Sequence, residues 1–476
     1  MVNRRWLFVC SCIALITSAF TFVVRGDILQ DMGDAFDLSQ AQKGSIEGAV
    51  FMGMALSMLF GGFICDLLGI KRMLCLAFAS HLLGSVGTIF APHSSLSYPW
   101  LFAASLLMGC GNGFTEVGIN PLIATLYSDR KTHYLNILHA WWPGGLVIGG
   151  ITARLVGKGL DLSFIQLPGL HVNWQVSLCL IVFPAIVYGL MLIPARFPQT
   201  ERVASGVSTG DMFKECFRPL FLVWAVCMLL TAATELGPQK WQESVMTSTA
   251  HISGTLILVY TSGMMFVLRH FAGPIAHAIS PVGMLTVSAI LAGVGLRLLS
   301  YADSAGTAFG YATIFGLGIA FFWPTMLGVT AERFPKGGAL ALALMGSVGN
   351  LSISQVLPQM GHIVDVNAVA YAEEYAPPDM LPKILKQEGG KYIGVDPVKV
   401  ENLPADSSQA KLASDAQANG YRMAFRTVSL LPVALVVLFT LIMLYDRSRG
   451  GYRPEILLSR DEEDELMAGG VQAAVE

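Results

Sequence analysis

The stretch GCGNGFTEVGINPLIATLYSDRKTHYLNILHAWWPGGLVIGG, residues 109–150, holds two apolar segments joined by the charged turn Ser128-Asp129-Arg130-Lys131. The segments belong to runs 99–127 and 134–157, each long enough to cross a hydrocarbon core of about 30 Å as a helix. A helical hairpin within a membrane accounts for this pattern. Inside the first segment lies Glu116, among glycines and four residues before Asn120-Pro121; the second opens with Asn136 and His139 and continues as Trp141-Trp142-Pro143-Gly144-Gly145. An ionisable side chain at membrane depth marks a substrate or proton path.

The rest of the chain has the same character. Its 476 residues are 54% hydrophobic and 13% charged, against about 25% charged in soluble domains, and the mean hydropathy is +0.58. Apolar runs recur at 6–26, 43–64, 73–92, 99–127, 134–157, 174–194, 219–239, 252–276, 282–300, 307–329, 337–358 and 423–445. Each is expected to be a helix, because lipid offers no partner to backbone N–H and C=O groups. Run 6–26 lacks an A-x-A-like cleavage site and reads as the first span.

Charge placement orients the array. Arg4, Arg5, Lys71, Arg72, Arg130, Lys131, Arg196, Arg202, Lys214, Arg218, Arg333, Lys336, Arg447, Arg449 and Arg453 fall on one side, while short loops on the other hold little beyond Lys43, Lys158 and Lys240. By the positive-inside rule both termini are cytoplasmic, in a multi-pass protein of the plasma (inner) membrane. The eight cysteines lie in the spans or at their cytoplasmic ends, so no disulfide framework is expected. No phosphate loop, nucleophile elbow or zinc spacing can be placed, which leaves no support for an enzyme, a metal site, a cofactor or nucleic-acid binding.

The second run ends in Gly62-Phe-Ile-Cys-Asp66-Leu-Leu-Gly69-Ile-Lys71-Arg72. Gly62 allows close helix approach, Asp66 can pair with a cation or a helix N-terminus, and Lys71 and Arg72 anchor the turn. This G-x-x-x-D-x-x-G-x-K-R pattern resembles the signature loop of the major facilitator superfamily. An internal repeat agrees with it: Pro121 with Asp129-Arg130 recurs as Pro324 with Glu332-Arg333, each after a G-x-G, and AGPIAHAISPVGML is a faded second copy of the loop.

The resemblance implies an all-α membrane protein with twelve transmembrane helices in two pseudo-symmetric six-helix halves. Those halves are 1–194 and 219–445, with a cytoplasmic linker 195–218 and a cytoplasmic tail 446–476. The polar insertion 359–420 between helices eleven and twelve is expected outside, as a small cap or a disordered loop. The acidic tail is expected to be flexible. The signature residues Gly62, Asp66, Gly69, Lys71 and Arg72 are the implied gate.

Within that superfamily, GDILQDMGDAFDLSQAQKGSI, GCGNGFTEVGINPLIA and LNILHAWWPGG resemble the fucose–proton symporter family. The matching positions are Asp27, Glu116, Asn120-Pro121 and Leu135-Asn136, with His139 where that family commonly has glutamine. The resemblance implies Asp27 and Glu116 as the proton-linked pair. Asn120, Asn136, His139, Trp142, Glu235, Trp241, Trp323 and Asn350 complete the candidate substrate-binding set. Asp31, Asp34 and Asp37 read as loop acids, and Arg269, near the end of its run, as an interfacial anchor. The expected function is proton-coupled secondary transport, a sugar symport by alternating access, with a small molecule, protons and lipid as partners. Export of an amphipathic compound and a non-transporting receptor are the alternatives.

Overall fold

The computed structural model describes residues 2–161, 166–250, 252–404 and 407–468. The first half contains α1 (Arg4–Ala35), α2 (Gln40–Leu68), α3 (Ile70–Ile89), α4 (Ser97–Leu126), α5 (Lys131–Val156) and α6 (Cys179–Leu192). The second contains α7 (Pro219–Ala250), α8 (Gly254–Arg269), α9 (Ala272–Ile279), α10 (Pro281–Leu299), α11 (Ala305–Ile319), α12 (Phe322–Arg333), α13 (Gly338–Tyr375), α14 (Ser408–Val428) and α15 (Leu431–Ser448). Every one of the twelve apolar runs falls on one of these helices or on a consecutive pair.

Local sequence sets the ends. Asn3 caps α1 by accepting from the Trp6 N–H, and Ser39 with Gln42 forms a capping box on α2. Gly69 stops α2 and lets α3 begin at the next residue; its φ of +86° is disfavoured for any residue with a Cβ. The charged turn after α4 is a single 3-10 turn, Ser128–Arg130.

Among the described residues, nine helices are long and apolar enough to cross a membrane, or ten if one bent pair counts as a span. Neither α4 nor α5 is among the nine, because their glycine, proline and polar positions lower their hydropathy, and these positions face other helices. A Cβ on Gly109 would stand 2.0 Å from the Val50 carbonyl oxygen, and one on Gly113 would stand 2.0 Å from Ser57 Oγ. Only glycine lets α4 lie this close to α2. Around the periphery Phe60, Phe183, Leu190, Val433 and Leu441 are exposed, an apolar surface that water would not tolerate and lipid does.

The two halves press together. A Cβ on Gly62 of α2 would be 2.5 Å from Ala343 Cβ of α13, and one on Gly328 of α12 would be 2.6 Å from Thr132 Oγ1 of α5. Both contacts lie toward the face that carries the chain ends, where Arg4 pairs with Glu463 at 3.1 Å. We refer to it as the terminal face.

Several expectations need correction. Helix α1 continues ten residues or so past the apolar run, so Asp27, Asp31 and Asp34 are helical; Asp31 pairs with Lys158 at 2.9 Å. Lys43 is a buried residue of α2, bonded to Gln30 at 2.8 Å, and Lys240 lies inside α7. Both had been assigned to loops because the hydropathy falls before the helix ends. Of the two forms expected for the insertion, a small cap is the one seen: α13 extends to Tyr375, a hairpin pairs Leu385–Glu388 with Lys391–Val395, and α14 returns the chain. Ala368, Ala372, Ile384, Leu385, Ala413 and Ala416 form its core. The tail is not free either. It includes a helix, Arg460–Ala468, with Leu466 and Met467 buried.

Candidate functional site

Residues four apart share a helix face, and α4 uses this at its centre. Asn120 Nδ2 donates to Glu116 Oε2 at 2.8 Å. Asn120 Oδ1, an acceptor, lies 2.9 Å from His139 Nε2 on α5, so that nitrogen carries the hydrogen. His139 Nε2 is also 3.8 Å from Glu116 Oε2. All three side chains are buried. Glu116 therefore sits inside the bundle with an amide and an imidazole around it, and no Lys or Arg pairs with it among the described residues.

The chain of contacts continues into the second half through Arg269. Its Nη1 donates to the His139 carbonyl at 2.7 Å, its Nε to the Ala320 carbonyl at 2.6 Å, and its Nη2 to Glu235 Oε1 at 3.3 Å. Both charged side chains of the Arg269–Glu235 pair are 3% exposed. Arg269 is thus no interfacial anchor. It is the last residue of α8, but the apolar run continues through α9, which places the guanidinium within the bundle. Glu235 Oε2 is buried and, among the described residues, has no side-chain partner; the Trp323 backbone is the polar group that acts on this carboxyl besides Arg269.

One turn before His139, Asn136 Nδ2 donates to Thr132 O at 2.8 Å and to Thr325 Oγ1 of α12 at 3.1 Å. The structure therefore gathers Glu116, Asn120, Asn136, His139 and Glu235 from the expected set along one buried polar path. Trp323 touches this path through its backbone, which meets Glu235, while its ring and the other candidates lie elsewhere. Asn350 donates to Gly346 O at 2.9 Å and touches Met58 Sδ at 3.5 Å, on the α2–α13 contact. A Cβ on Gly349 would meet the Trp323 ring at 2.5 Å, which puts Trp323 beside the same contact. Trp142 packs edge-on against Phe22 at 5.3 Å, and Trp241 lies 6.0 Å from Tyr421. Asp27 pairs with Arg154 at 3.0 Å, where the arginine side chain is half exposed; no contact joins it to Glu116 among the described residues.

At the terminal face the signature loop makes a second polar cluster. Asp66, 1% exposed, accepts from Arg202 Nε at 2.6 Å and Thr200 Oγ1 at 2.7 Å. Both donors belong to the linker. Lys71 Nζ donates to Ile193 O at 3.1 Å and Ala195 O at 3.0 Å and so satisfies carbonyls at the end of α6, while Arg72 is exposed and donates to Leu68 O at 3.4 Å. Lys131 links linker and second half, at 2.5 Å from Glu201 Oε2 and 3.2 Å from Ala331 O. Glu332 Oε1 accepts from the Thr132 N–H at 3.0 Å. Sequence reading missed Arg202, Glu201 and Glu332 as partners, since nothing in local spacing shows which linker residue folds back.

A family model described as Major Facilitator Superfamily matches residues 7–354. The gentisate transporter of Corynebacterium glutamicum is 24% identical over 389 residues, covering 75% of this chain and 79% of its own length. The cis,cis-muconate transport protein of Acinetobacter baylyi is 24% identical over 371 residues, covering 71% and 84%. Among solved structures, that of the E. coli fucose:proton symporter FucP superposes with a TM-score of 0.66 at 13% identity, covering 91% of this chain and 98% of that one.

Proposed function

The chain belongs to the Major Facilitator Superfamily and is a multi-pass membrane transporter rather than an enzyme; we propose that it couples the import of a small organic substrate to protons by alternating access. One observation carries this reading: the buried path Glu116–Asn120–His139–Arg269–Glu235 runs from one half into the other. The path holds two carboxyl groups and one guanidinium, which pairs with Glu235 alone, so a single proton brings the set to neutrality. Arg269 holds the His139 carbonyl across the divide, a contact that rocking of the halves must break. A proton taken by Glu235 weakens its hold on Arg269, and one taken by Glu116 removes the negative charge beside Asn120 and His139; both tie the charge state of the site to the contact between the halves. Asp27, with its water-facing partner Arg154, is the outer acid in this account.

Asp66 with Arg202, and Gly62 against α13, form the gate at the terminal face, which the Lys and Arg distribution puts in the cytoplasm. Single cysteines at Ser407 and Ser448, in a variant stripped of its native cysteines, test that orientation. An impermeant maleimide applied to intact cells is expected to label the first and spare the second, and the reverse overturns it.

The resemblance to sugar symporters suggests a sugar as substrate. A second reading, an organic acid, is supported by the two sequence relatives, which carry the names of carboxylates. Proteoliposomes offered labelled fucose, glucose, benzoate and nicotinate, with and without an inward proton gradient, separate the cases. Accumulation only with the gradient supports symport. Accumulation driven by an outward-directed gradient supports export, and binding without transport supports a receptor.

A further inference from the structure

Beyond the polar path, α7 carries one more cation. Lys240 lies five residues past Glu235, or about 7 Å farther from the terminal face at a 1.5 Å rise per residue, and it is exposed. Its ammonium stands 5.7 Å from the centre of the Phe22 ring on α1 and 5.9 Å from that of Phe51 on α2, across the divide between halves. The two rings are 5.1 Å apart, and Trp142 of α5 closes a third side at 5.3 Å from Phe22.

This cation lacks an acid of its own. Among the described residues Lys240 takes part in no ion pair, whereas Glu47, the carboxylate that acts on it electrostatically, is bonded to Arg25 at 2.9 Å. Arg25 is 2% exposed, also donates to Ser105 Oγ at 2.9 Å, and leaves Nε and Nη1 without partners. Two cations thus face one carboxylate. The excess positive charge sits over the Phe22 and Phe51 rings, with Trp142 packed against Phe22, all three contributed by the other half.

We propose that Lys240, Phe22, Phe51 and Trp142 form the recognition site for a planar aromatic carboxylate; this rests on the transporter reading and names its substrate class. The rings offer flat faces to an aromatic body, and the carboxylate supplies the missing negative charge in a charge-assisted hydrogen bond to the ammonium. A sugar has the apolar faces but leaves the lysine uncompensated. Because the cation and the rings belong to different halves, a bound acid draws the halves together on the side away from the terminal face.

The test is binding to the purified full-length protein in detergent, read by isothermal calorimetry with benzoate, benzamide and fucose as probes. Benzoate is expected to bind about tenfold or more tightly than benzamide. Lys240→Gln is expected to lose about tenfold in benzoate affinity, and Lys240→Arg to stay within about threefold of the parent. Thermal unfolding of both variants is expected to match the parent, so that a lost site is distinguished from a lost fold. Equal binding of benzoate and benzamide, undiminished binding by a folded Lys240→Gln, fucose as the bound probe, or no binding of any probe overturns the proposal. Fucose uptake driven by protons refutes the acid site and leaves proton coupling standing; benzoate binding without proton-driven uptake does the converse.

Discussion

At Arg269 the energetics are those of a buried charge held by few partners. Its guanidinium is fixed by two backbone carbonyls and one rather long bond to Glu235. Removing one member of a buried pair costs about 3–5 kcal/mol, mostly because the other charge is left alone. Arg269→Ala is therefore expected to lower the thermal unfolding temperature sharply in detergent. The double variant Arg269→Ala/Glu235→Gln is expected to recover much of that loss. A double variant no more stable than Arg269→Ala would show that the two side chains are not energetically coupled. Asp27 offers the contrast. Its partner Arg154 is half exposed, and such pairs contribute about 0–1 kcal/mol, so Asp27→Asn should unfold with the parent while weakening proton-driven uptake only in part.

At the scale of elements, the proposed gate is a helix pair and a strap. Asp66 holds Arg202 and Thr200 of the linker under the α2–α3 turn, and Gly62 lets α2 meet α13. Asp66→Asn keeps an acceptor for Thr200 but loses the charge that holds Arg202. Turnover is expected to fall while substrate affinity stays within about twofold of the parent, as compared by uptake rate and calorimetry; an equal loss of both would remove Asp66 from the gate. This turn was legible in the sequence because its pattern is local: a positive-φ glycine, a buried acid and two cations within eleven residues. Helix positions were legible for the same reason. Glu116, Asn120 and His139 could be singled out since polar groups in apolar helices are costly unless used. Lys240 was misplaced because hydropathy fades before α7 ends, and Arg269 because it closes α8 while its apolar run continues into α9; only tertiary packing decides whether such a cation turns outward or inward. The choice between a cap and a disordered loop for the insertion was left open in the sequence, since the core that orders it is built mostly from alanines.

Across the whole molecule, the tail ties the halves at the terminal face. Tyr452 donates to Glu332, the Glu455 N–H donates to Glu332 O at 2.8 Å, and Glu455 pairs with Lys336 at 3.1 Å, all in the second half. Farther along, Glu463 bonds Arg4 at 3.1 Å and Ser128 at 2.5 Å in the first. Burial and the neighbouring Glu332 push the Tyr452 phenol well above its usual range, so it remains a donor. Deleting residues 450–476 is expected to loosen this face. A cysteine replacing Ala331, buried between the halves, should then react faster with maleimide in a background lacking native cysteines; an unchanged rate would show that the tail restrains nothing. The central claim is that Glu116 carries the proton. Glu116→Gln holds the neutral form permanently, and its amide still meets Asn120. Counterflow and uptake driven by an inward proton gradient, measured in the same vesicles with the compound the parent accumulates, give the direct test. The account predicts that Glu116→Gln keeps counterflow and loses accumulation on the proton gradient; accumulation at the parent's level would contradict it.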